Sequence, residues 1–151
     1  MATRERIRRI RTVRRLREIR EKVDARAVGE ARAALTSAER RLVLLDEDCR
    51  LLQAEITAAL VEGARSPEVA EYHLAWMTRR KQRVALEAAA AVCRERMREA
   101  IEAYLRSRIE RKRMETWETA TADRMRREEE RAEAVASDEI TVIRHGWRRE
   151  A

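Results

Sequence analysis

Two histidines, two cysteines and a run of carboxylates are the residues of this 151-residue chain that could do chemistry. His73 and His145 lie far apart along the chain, and neither sits among cysteines or acids at metal-ligand spacing. Glu128, Glu129 and Glu130 are consecutive, so they spread around a helix and meet water instead of converging on one substrate atom. No glycine-rich phosphate loop and no Ser/His/Asp arrangement can be assembled. The chain is therefore expected to be non-enzymatic, with no catalytic residue, cofactor or metal.

The elements that would position these side chains are helices, punctuated once. Gly63-Ala64-Arg65-Ser66-Pro67 combines a residue free to adopt a left-handed backbone, a hydroxyl for unpaired N–H groups and a proline suited to the first helical position. Glu68 follows on the positive end of the next helix dipole. From Glu68 to His145 there is neither Gly nor Pro. The expected fold is all-α, a long antiparallel two-helix coiled-coil hairpin over 1–143: helix 3–62, turn 63–66, helix 67–143. A disordered tail is expected over 144–151.

With no Phe, three Trp, two Tyr and 42% charged residues, the composition suits long helices better than a compact core. No stretch approaches the ~20 apolar residues of a membrane span. The net charge of +7 is concentrated at one end. Residues 1–22 carry ten basic against three acidic side chains, and the remainder balances at 25 of each. A cytoplasmic location is expected, and the charged arm is suited to an acidic partner surface, a membrane or nucleic acid. Cys49 and Cys93 suit a reducing compartment.

Apolar periodicity assigns the buried seam. In the first helix Ile7, Ile10, Val13, Leu16 and Ile19 recur every third residue, followed by Val23, Ala27 and Ala31. From Leu35 the steps alternate three and four through Ala38, Leu42, Leu45, Cys49, Leu52, Ile56 and Ala59, the coiled-coil spacing. The second helix offers Val69, Tyr72, Trp76 or Met77, Val84, Ala88, Ala91, Met97, Ile101, Tyr104, Met114 and Trp117. If the chain turns about residues 64 to 65, facing residues have numbers summing to roughly 129. Val13 then faces Trp117, residues beyond about 128 overhang the first helix, and the cysteines are about 20 Å out of step for a disulfide.

Arg111-Lys112-Arg113-Met114-Glu115-Thr116-Trp117-Glu118, the run Arg124-Met125-Arg126-Arg127-Glu128-Glu129 and Ser137-Asp138-Glu139-Ile140 resemble the second helix of the FliJ/YscO-type stalk proteins of flagellar and type III secretion export machines. Tyr72 after the turn is also similar to the family, whereas Trp117 stands where a Leu is usual. The resemblance implies a central stalk whose terminal end enters a hexameric export ATPase and whose body contacts an export gate protein and export chaperones. It implies a location in the cytoplasm, peripheral to the inner membrane. Carried over by motif, Arg111, Lys112, Glu115, Trp117, Arg124, Arg127, Asp138 and Glu139 face the ATPase, and the charged arm adds Arg8, Arg11 and Arg15. Leu42, Leu45, Cys49, Tyr72 and Trp76 would face the gate.

The alternative function is a coiled-coil nucleic-acid binder or structural scaffold using the Arg-rich N-terminal arm. No aromatic stacking set interleaves those arginines, so nucleic acid is the less expected partner. A membrane-surface helix burying Ile7, Ile10, Val13 and Leu16 ranks below both, because the hairpin supplies those residues with partners.

Overall fold

The structure, a computed structural model, describes residues 2–149, with side chains described for 4–145. It consists of two antiparallel helices, α1 (Ala2–Val61) and α2 (Ser66–Arg149). The expected all-α hairpin is thus observed. α2 runs six residues past the expected end at 143, since nothing in 137–145 breaks a helix and a single glycine such as Gly146 costs only about 1 kcal/mol. Residues 150 and 151 of the expected tail lie outside the described residues.

The turn is made by backbone geometry. Gly63 has φ of 84°, the left-handed region that only glycine enters without strain. Ala64 N–H donates to the Ala59 carbonyl at 2.9 Å and Gly63 N–H to the Leu60 carbonyl at 3.3 Å, the paired bonds of a Schellman ending. At the start of α2 the cap is Glu68, whose carboxylate accepts the Arg65 N–H at 3.0 Å. Ser66 is already helical and Pro67 is the second helical residue, one position later than expected.

The chain forms two compact units, Met1–Lys22 with Arg106–Ala151 and Val23–Leu105. In the second unit the seam is largely apolar. Leu45, Leu52 and Ala90 are buried, and Val28, Leu35, Leu42, Ile56, Leu86 and Met97 are half-buried. Asp46 with Arg83 at 2.8 Å and Glu39 with Arg94 at 3.7 Å brace this seam from its edges. The Asp46 carboxylate, by hydrogen bond and charge, raises the pKa of the Arg83 guanidinium above its ordinary value. The inward positions 28, 35, 42, 49 and 56 recur in strict sevens, as do 72, 79, 86, 93 and 100 on α2. Val84, Ala88 and Ala91, expected inside, are exposed because that register turns them outward.

Gly29 would meet nothing within 4 Å if given a side chain, so it marks no close approach. Gly29→Ala is expected to stabilise the protein by about 1 kcal/mol. Gly63→Ala is expected to destabilise it by about 1 kcal/mol through backbone strain. Urea unfolding followed by circular dichroism measures both.

Candidate functional site

All eleven residues assigned to the ATPase fall in the unit formed by Met1–Lys22 and Arg106–Ala151. Its seam differs in kind from that of the second unit. Ile7 and Ile10 are buried, but the inward positions that follow are Arg14, Glu18 and Glu21. On α2 the corresponding positions are Ser107, Arg111, Met114, Glu118, Thr121 and Met125. Val13, Leu16 and Ile19, read as seam, are exposed, Leu16 and Ile19 to 60% and 58%.

The reason is rotation. Each step of three residues falls about 60° short of a full turn, so a period-three stripe drifts around the helix and leaves the seam within a few steps. Packing between two helices follows a repeat of 3.5. Inward positions recurring in sevens on α2, 107, 114 and 121, hold the matching face of α1 to Ile7, Arg14 and Glu21. Trp117 is likewise turned out and is nearly half exposed, while its neighbour Glu118 points in. Arg6 lies over the Trp117 ring, 5.9 Å from its centroid, and takes the place of the expected Val13 contact as the packing recorded on that face.

The inward charges are paired. Glu118, its side chain 13% exposed, accepts a hydrogen bond from Arg11 at 2.8 Å and forms an ion pair with Arg14 at 2.9 Å, while its buried Oε2 and the buried Arg14 Nε are left without a hydrogen bond among the described residues. Arg14 also reaches Glu18 at 3.3 Å. Arg111 holds Glu21 across the seam and Glu115 at 2.9 Å on its own helix. The hydrogen bond that Arg111 donates to Glu21, with the nearby carboxylate charges, raises the Arg111 pKa against the opposing effect of burial. Further out, Arg17 pairs with Glu110, and Arg4 approaches Glu129 at 3.6 Å. The Thr121 hydroxyl donates to the Trp117 carbonyl at 2.8 Å, which lets a polar side chain sit in the seam.

Arg11 and Arg111, both assigned to the ATPase, hold carboxylates of the hairpin itself. Arg8, Arg15, Lys112, Glu115, Arg124, Arg127, Asp138 and Glu139 are exposed. Arg8 and Arg15 have no ion-pair partner among the described residues, so they are two of the arm's available cations. Beyond the Arg4–Glu129 pair, every described side chain from 130 to 145 is exposed.

The residues assigned to a gate belong to the other unit and lie in or beside its seam. Leu45 is buried and Leu42, Cys49, Tyr72 and Trp76 are half-buried. Cys49 and Trp76 border one shallow groove with Gln53 and Arg83, and Tyr72 and Trp76 border another with Ile56, Val69 and His73. Leu44, Leu51 and Leu74 are among the apolar side chains turned to solvent there. Both cysteines are free thiols, and no cluster of metal-ligating side chains occurs among the described residues. No helix among the described residues is long and apolar enough to cross a membrane.

A family model described as the flagellar FliJ protein matches residues 6–150, nearly the whole chain. The chain belongs to the FliJ family. It is therefore a protein of the flagellar export apparatus, in a family that is a structural export component. No curated protein and no solved structure gave a significant match. Within the FliJ hairpin, Arg14, Glu21 and Glu118 were missed as working residues because charge argued for the surface. Counting back in sevens from Leu42 through Leu35 and Val28 reaches Glu21 and Arg14, so the signal was present.

Glu118→Ala leaves Arg14 and Arg11 without their shared carboxylate and is expected to cost about 1–3 kcal/mol. Replacing both members, Arg14→Leu with Glu118→Leu, is expected to restore stability to within about 1 kcal/mol of the parent. Thermal unfolding of the three proteins makes the comparison.

Proposed function

We propose that the protein is the central stalk of a flagellar or type III export ATPase, a coupling subunit without catalysis of its own. Its terminal end would enter the hexameric ring while the turn-proximal unit meets the export gate and export chaperones. The observation that carries this reading is the family match over 6–150, on a hairpin that gathers both chain ends and the surplus positive charge into one unit. Arg8 and Arg15, without an ion-pair partner among the described residues, would steer the end toward an acidic ring, and exposed Lys112, Arg124 and Arg127 would extend that field. Residence in the cytoplasm, held at the inner membrane through the export apparatus, follows from the same reading. For the gate, Tyr72, Trp76 and Cys49 at the groove edges are better placed than Leu42 and Leu45, which the seam occupies.

The nucleic-acid alternative draws no support from the arm. Arg4, Arg11, Arg14 and Arg17 already hold carboxylates, which weakens their pull on a phosphate backbone. Purified protein is expected to stimulate the cognate ATPase and promote its assembly into hexamers. Arg8→Glu with Arg15→Glu is expected to weaken that stimulation about tenfold or more while helicity is unchanged. Full stimulation by the doubly substituted protein would remove the charged arm from the mechanism, and no stimulation by the parent would remove the stalk reading.

A further inference from the structure

Two unpartnered surfaces of the terminal unit are complementary to each other. The first is the overhang of α2. The inward positions 114, 118, 121 and 125 continue by the same steps to 128, 132, 135, 139 and 142, which places Val135 and Val142 on the line of the seam where α1 has ended. Both valines are exposed, Val142 to 70%, and with Ile143 they line a shallow groove edged by Asp138 and Glu139. The second is the outer face of α1. Leu16 and Ile19 lie on the side of the helix away from Arg14 and the seam, and Arg8 and Arg15 border them along one edge, without ion-pair partners among the described residues.

Charge selects the pairing. Residues 128–145 carry six acidic and two basic side chains, and residues 4–22 carry ten basic and three acidic. Overhang against overhang would set Asp138 and Glu139 against their own copies, and arm against arm would oppose arginines. Overhang against arm joins opposite charges around an apolar line on both sides. The lengths agree too, at about 27 Å and about 28 Å of helix.

We propose that two copies associate through their terminal units, the overhang of each seated on the outer face of α1 of the other. The contact is isologous, so it closes at a dimer. Apolar surface gives it affinity, and charge gives it orientation and a dependence on salt. The dimer covers the end that the stalk reading directs to the ATPase, so it is the resting form from which a monomer would be drawn. The association itself stands independently of that reading.

Sedimentation velocity on the full-length protein tests it without any ATPase. At low salt and rising concentration, a monomer–dimer equilibrium is expected, weakening as salt is added. Leu16→Asp and Val142→Asp, both at exposed positions, are each expected to raise the dissociation constant about tenfold or more with helicity unchanged. Mixing the two variants restores one intact contact per dimer, so the mixture is expected to associate more tightly than either alone. A parent that stays monomeric at low salt overturns the proposal. So does a dimer indifferent to both substitutions, or a Leu16→Asp dimer as tight as the parent, which would mean overhang-to-overhang pairing.

Discussion

The terminal unit depends on carboxylates and guanidinium groups neutralising one another along a half-buried seam. Glu118 between Arg11 and Arg14, and Arg111 between Glu21 and Glu115, occupy positions that leucines hold elsewhere in the hairpin. Such pairs contribute little net stability, because the cost of desolvating each ion offsets most of its attraction to the other. What they do is penalise misalignment. A slip of α1 along α2 by one turn would leave several half-buried charges without partners, which an alanine-rich or leucine-only seam would not.

The second unit solves the same problem by other means. Leu45, Leu52 and Ala90 exclude water directly, and the ion pairs Asp46–Arg83 and Glu39–Arg94 lie at the rim, where solvent screens them. One chain thus carries an apolar seam next to the turn and a polar one next to the termini. The family places this protein in the flagellar export apparatus. Under the stalk role we propose, a seam rich in charge has a physical use. Its side chains can exchange one set of ionic partners for another at modest net cost, whereas exposing a leucine seam would cost its full burial.

Much of the fold was legible from local signals. Gly63 and the polar residues after it announce the single reversal, and the absence of any other breaker announces two long helices. The seam from Leu35 to Ala59 was legible as well, since its apolar residues keep steps of three and four. Over residues 7–19 the apolar residues keep a period of three, and hydrophobicity pointed to Val13, Leu16 and Ile19 where the structure turns Arg14, Glu18 and Glu21 inward, half-buried. Trp117 misled for the same reason, since a large aromatic residue reads as buried until its neighbour Glu118 is found facing in.

The amino-acid order by itself determined the number of helices, the place of the turn and the concentration of positive charge at the terminal end. Those follow from backbone freedom, helix periodicity and simple counting, each local to a few residues. Which face of each helix turned inward was decided only by the tertiary structure. A helix alone has no inside, and the partner's repeat of seven outweighed the hydrophobic pattern where the two disagreed. The same holds for the charges. Arg8 and Arg11 are indistinguishable as sequence, and only the approach of Glu118 from the other helix makes one a seam-side strut and leaves the other available to a partner.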